Sequence, residues 1–98
     1  MIENELFYTY ILTNKTHTVL YIGVTSNLKR RLKEHAYPSS KGFASKYKTT
    51  KLVYFESTNY VVNAIKREKQ LKKWNRQWKE NLINDKNPEW NDLRWMLD

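Results

Sequence analysis

The chain has 98 residues, 18 Lys and Arg against 10 Asp and Glu, a formal net charge of +8, and no cysteine. That length bounds a single domain with one modest core, and the missing cysteines exclude disulfides and thiolate metal sites. Two histidines argue against a structural zinc site, so the core must come from aliphatics and from the four Trp, seven Tyr and three Phe. The positive excess points to a polyanionic partner through steering and counterion release, or else to a basic surface that only keeps the protein solvated. No apolar run has the length to span a bilayer and no segment reads as a secretory signal, so a cytoplasmic protein is expected.

Residues 6–12 (LFYTYIL) are aromatic and β-branched enough to predict a strand. The polar stretch 13–18 (TNKTHT) predicts a hairpin loop, and residues 19–24 (VLYIGV) predict a second strand antiparallel to the first. Gly23 inside that strand predicts a bulge or a close backbone approach. Thr25 or Ser26 is placed to cap a helix over NLKRRLKEH, whose apolar positions Leu28 and Leu32 are four apart. Residues 36–51 hold Pro38, Ser39, Ser40 and Gly42 and predict the longest irregular region. Residues 52–56 (LVYFE) predict a third strand. From Thr58 or Asn59 one uninterrupted helix is expected to about Asn84, since it contains no Gly or Pro. Asn87-Pro88 then breaks the chain, and residues 89–96 predict a short terminal helix over the core through Trp90 and Trp95. The order β-β-α-β-α-α predicts one α+β domain over residues 1–98, with a small three-stranded, mostly antiparallel sheet flanked by helices.

Several residues break these local patterns. Stepping by three and four from Val61 gives Ala64 and Ile65, then Glu68, Leu71 and later Trp78, so Glu68 lies in the stripe expected to face the core. A buried carboxylate needs a partner: it either pairs with a neighbouring Lys or Arg or serves as a metal ligand or active-site acid. Around it the helix bears Lys66, Arg67, Lys69, Lys72, Lys73, Arg76 and Lys79, a basic stripe suited to phosphates. Lys69, Lys72, Lys73 and Arg76 are the nucleic-acid contacts expected from it. On the first helix Arg31 and His35 are i,i+4 and share a face. Each alone reads as a solvated or helix-end residue. Together they suit a phosphate site, Arg clamping the charge and His exchanging a proton. Tyr8 and Tyr10 share one face of the first strand, and Tyr21 and Gly23 one face of the second. Strand tyrosines commonly serve packing, and sequence alone does not select a chemical role for them.

The pieces Tyr8-Thr9-Tyr10, Tyr21-Ile22-Gly23, Arg31, His35 and Arg67-Glu68 resemble the GIY-YIG nuclease superfamily, in particular its small single-domain bacterial members. LYIGVTSNLKRRLKEH is the most specific stretch, and AIKREKQLKKW is similar to the family's metal-binding helix. The first tripeptide departs from Gly-Ile-Tyr but keeps its final tyrosine as Tyr10.

The resemblance implies a metal-dependent endonuclease acting on DNA phosphodiester bonds, structure-selective or weakly sequence-specific. Glu68 would be the sole protein ligand of one divalent ion, Mg2+ or alternatively Mn2+. Tyr10 and Tyr21 would line the nucleophile side, Arg31 would stabilise charge at phosphorus, and His35 would support a tyrosine or relay a proton. Gly23 and Lys46 would lie against the nucleic acid, and Asn87 would orient site residues. DNA is the implied partner, with RNA as an alternative, and related enzymes often depend on an appended domain or partner protein for targeting. Oligomeric state stays open. The alternative reading is a nucleic-acid-binding module that keeps the fold without turnover.

Overall fold

A computed structural model describes residues 5–36 and 48–97; residues 1–4, 37–47 and 98, and the side chains of residues 35 and 36, lie outside the described residues. The chain order is β1 (Phe7–Thr13), β2 (Leu20–Thr25), α1 (Leu28–Ala36), β3 (Lys51–Thr58), α2 (Val61–Lys73), α3 (Arg76–Lys86) and a terminal 3-10 helix, Leu93–Leu97. The strands form one sheet in the order β2-β1-β3, with both pairings antiparallel. This is the α+β architecture with a three-stranded antiparallel sheet that the sequence predicts.

The hairpin loop is held by Asn14, whose side-chain oxygen accepts from the amides of Thr18 (2.9 Å) and Val19 (3.1 Å). That Asx-type closure turns β1 directly into β2. As the central strand, β1 is covered on both faces. On one side Tyr10, Leu12 and Leu52 pack with Leu28 and Leu32 of α1, and Leu93 and Leu97 of the 3-10 helix close the edge. On the other, Ile11, Ile22, Val53 and Tyr54 meet Leu71 of α2 and Ile83 of α3. Thr9 ties α2 to this face by donating its hydroxyl to the Ala64 carbonyl at 3.0 Å. Truncating a wholly buried anchor such as Leu71 is expected to cost about 2–5 kcal/mol. Among the described residues, no helix is long and apolar enough to cross a membrane.

Four expectations are corrected. The single helix to Asn84 is two, because Trp74 and Asn75 are both extended (ψ 148 and 169) and Asn75 caps α3 by accepting from the Trp78 amide at 2.9 Å. The break lets Trp74 pack on the core and lets Arg76 reach back to the hairpin carbonyls of His17 (2.6 Å) and Thr18 (2.9 Å). It also takes Trp78 off the core stripe, leaving it 55% exposed. At the chain's end Trp90 packs against the core as expected, whereas Trp95 is 71% exposed and Leu93 and Leu97 do the covering. The first helix is capped by Asn27, whose side-chain oxygen accepts from the Arg30 amide at 3.0 Å. Thr25 instead accepts from the Asn27 amide at 3.1 Å, shaping the turn before the cap.

Candidate functional site

Tyr10 and Gly23 are cross-strand partners in the β1–β2 pairing. A Cβ built on Gly23 would overlap the oxygen and Cζ of the Tyr10 phenol. The close approach at this glycine is therefore made by a side chain, which runs over β2 toward the open edge of the sheet. There Arg31 of α1 hydrogen-bonds the phenol, Tyr21 of β2 sits with its ring centroid 6.4 Å from that of Tyr10, and Glu68 of α2 lies close enough to act on it electrostatically. Residues from β1, β2 and α1 thus meet around one phenol, with an α2 carboxylate within electrostatic reach.

Burial is the largest influence on Tyr10 and raises its pKa well above the ordinary tyrosine value; Tyr21 and Glu68 push the same way, and Arg31 opposes without offsetting them. Tyr10 is therefore a neutral phenol at physiological pH, able to donate as well as accept a hydrogen bond.

Glu68 occupies the buried face of α2 between Ala64 and Leu71, with its side chain 17% exposed and paired to Lys72 Nζ at 3.3 Å. Its partner is thus a lysine one turn along, and that lysine also lines a groove beside Tyr21. Among the described residues, no group of three or more His, Cys, Asp or Glu could hold a metal. A lone carboxylate already facing a cationic group fits an ion that takes its remaining ligands from water and phosphate, as magnesium commonly does.

The remaining candidates divide clearly. Arg31 Nε also lies 3.3 Å from Glu34 Oε1, which steadies the guanidinium along α1. His35 belongs to the last turn of α1, but its side chain, like the whole of Lys46, lies outside the described residues. Lys72 lines a groove of about 300 Å³ together with Leu20, Tyr21, Ile22 and Lys79. Lys69 and Lys73 are exposed on α2. Arg76 serves the fold: besides the hairpin carbonyls it holds Glu80 at 2.8 Å. Asn87 also stands apart from the cluster. Its amide donates to the Val53 (3.1 Å) and Asn91 (2.9 Å) carbonyls and accepts from the Asn91 amide at 3.0 Å, binding the end of α3 to β3 at the edge opposite β2.

The structure adds two relations to those expected. Lys79, already counted in the basic stripe, shares the groove beside Tyr21 with Lys72, seven positions earlier and across the helix break. The second is a network beside Glu68. The Tyr54 hydroxyl donates to Glu56, Glu56 accepts from Arg67 Nε at 2.9 Å, and Arg67 donates to Gln70 at 2.7 Å while lying 5.2 Å over the Trp74 ring. Burial, then the bond to Glu56, pushes the Tyr54 pKa up to about 12. The network ties α2 to β3 at the residue preceding Glu68. An acid closing β3 and an arginine beside Glu68 were visible as residues, but their pairing crosses two elements.

The GIY-YIG catalytic domain family matches residues 6–81, which span every member of the cluster. A UPF0213 protein of Syntrophus aciditrophicus (strain SB) is 40% identical over 86 residues, covering 84% of this chain and 93% of that protein. A second, from Clostridium perfringens (strain 13 / Type A), is 40% identical over 83 residues, covering 81% and 84%. The solution NMR structure of a UPF0213 protein from Bacillus halodurans aligns with a TM-score of 0.58 at 26% identity, over 89% of this chain and 92% of that one. The chain therefore belongs to the GIY-YIG nuclease superfamily, among small proteins of the UPF0213 group.

Proposed function

We propose that the protein is an endonuclease that hydrolyses DNA phosphodiester bonds at the β2 edge of the sheet, using a divalent cation, Mg2+ with Mn2+ as the alternative. The observation that supports this reading is that Tyr10, lying over Gly23, is hydrogen-bonded by Arg31, stands beside Tyr21 and is within electrostatic reach of Glu68. In the reaction a water adds to phosphorus as the bond to the 3′-oxygen breaks, leaving a 3′-hydroxyl and a 5′-phosphate. Glu68 would hold the cation, whose charge offsets that developing on the departing oxygen. Tyr10, buried and neutral, backs the nucleophile side and positions Arg31, whose guanidinium hydrogen-bonds its phenol, so that the water falls to Tyr21. Tyr21, on the wall of the groove, is the phenol placed to exchange a proton with that water. Arg31 neutralises charge at the pentacoordinate phosphorus, and Lys69, Lys72, Lys73 and Lys79 hold the flanking phosphates. His35 and Lys46 keep the proton-relay and phosphate roles that the family likeness suggests. RNA is the second polyanion to try, and a cytoplasmic setting is proposed with the activity. One site of this kind cuts one strand, so a double-strand break takes two copies or two events.

The test is cleavage of labelled linear, nicked, flapped and junction DNAs with Mg2+ or Mn2+. Glu68→Gln should abolish product while leaving the circular dichroism spectrum unchanged, and Arg31→Ala should slow turnover by about 100-fold or more. Cleavage that survives both Glu68→Gln and Tyr10→Phe would refute the mechanism. A wild type that binds every substrate and cuts none is a binding module with the nuclease fold.

A further inference from the structure

The catalytic cluster makes no use of the outer face where α2 hands over to α3. Trp74 packs partly on the core, Trp78 stands 55% exposed, and their rings meet edge to face at 5.8 Å and 84°. Together with Asn81, Leu82 and Asp85 they line a depression of about 330 Å³. A large aromatic left open beside polar groups suggests a ligand with one flat apolar face and one polar edge.

The charges decide which ligand. Residues 61–86 carry eight Lys and Arg against three Asp and Glu, which draws a polyanion to these helices. Within the depression itself the charged group is the Asp85 carboxylate, which repels a phosphate but accepts from the amino edge of a base. A base therefore belongs in the depression, with its backbone over the lysines. Lys79, adjacent to Trp78, is also a wall of the groove beside Tyr21, so a strand passing from that groove over α3 arrives at Trp78.

We infer that the Trp74–Trp78 depression stacks one unpaired nucleobase of a single strand continuing from the groove of Tyr21, Lys72 and Lys79. The strand's origin in that groove rests on the nuclease reading above. Stacking against an indole is tolerant of base identity but requires that the base be unpaired. It would favour substrates with a single-stranded segment beside the scissile bond over continuous duplex.

The experiment is metal-free binding, by fluorescence anisotropy, of a labelled oligodeoxycytidylate and of an abasic strand with the same number of phosphates. The wild type should bind the base-bearing strand about tenfold more tightly, the scale of one stacked base. Trp78→Ala should bring the two affinities to equality, and Trp78→Phe should keep part of the preference. Equal affinities in the wild type, or an undiminished preference in Trp78→Ala, overturn the inference. So does a concentration-dependent dimer that Trp78→Ala abolishes without any base preference, since that gives the face to a second copy. No arm needs a cation or turnover: a protein that cuts nothing can pass, and an active nuclease can fail.

Discussion

Replacing Gly23 with alanine sets two effects of opposite sign against each other. Gly23 does not have a positive φ, so an alanine there would ordinarily stabilise the fold by about 0.4–1 kcal/mol, by restricting the unfolded chain. Here the new methyl would enter the space of the Tyr10 phenol, a side chain with no exposed surface and packed with Leu12, Leu28, Leu32 and Leu52. Overpacking a close-packed core costs about 1–3 kcal/mol, so the clash should win by about 1 kcal/mol. For a domain of this size that lowers the midpoint by roughly 4–8 °C. Urea denaturation and a thermal melt of Gly23→Ala measure it directly. The double variant with Tyr10→Phe removes the phenol oxygen that the methyl meets, so the two changes should couple by more than about 0.5 kcal/mol. Cleavage by Gly23→Ala should also fall, because the displaced phenol no longer holds Arg31 in place. A Gly23→Ala protein as stable as the wild type, or strictly additive energies in the double variant, would show that the phenol does not depend on the missing Cβ.

Asn75→Ala removes the side-chain acceptor for the Trp78 amide and should cost about 1 kcal/mol, seen as a lower urea midpoint with an unchanged slope. Arg76→Ala should destabilise the hairpin anchorage by about 1–2 kcal/mol while altering the salt dependence of DNA binding less than Lys72→Ala or Lys79→Ala does. His17 packs on Trp90 and faces Lys51, and its pKa is lowered first by burial and then by Lys51 and Arg76. The unfolded chain thus takes up this proton before the folded one. Stability should be full above pH 6.5 and fall as pH drops through 6.5 toward the lower folded value, and His17→Gln should flatten that limb in a pH series of urea melts. Glu68→Gln should change stability by less than about 1 kcal/mol, since its lysine partner is half exposed, so lost cleavage in that variant cannot be ascribed to unfolding.

The strands were legible because half-buried β segments announce themselves locally, and the three runs lie within about two residues of their observed ends. Glu68 was legible for a related reason: a carboxylate at i+4 from Ala64 and i−3 from Leu71 must share their face whatever the rest of the chain does. The break at Trp74-Asn75 was not, because an asparagine both tolerates a helix interior and caps a new helix. Only the pull of the core on Trp74 and of the hairpin carbonyls on Arg76 selects between them. Asn87 shows the same limit from the other side. Its residue type suited a site, but its amide is consumed by Val53 and Asn91 across the sheet.

What the sequence by itself determined is therefore whatever depends on periodicity and side-chain chemistry: the strands, the intruding glutamate and the basic character of α2, whereas at Gly23 it left a bulge or a backbone approach open and the structure placed the Tyr10 side chain there. Which groups meet was decided only by the tertiary structure. Tyr10 and Tyr21 come together through the β1–β2 register, Arg31 reaches the phenol from α1, and Glu68 of α2 comes within electrostatic reach of it. Residues 58 positions apart in the chain, such as Tyr10 and Glu68, acquire a distance only when the core they flank is formed. That core also keeps Tyr10 protonated, since desolvation belongs to the packed interior and to no residue in isolation.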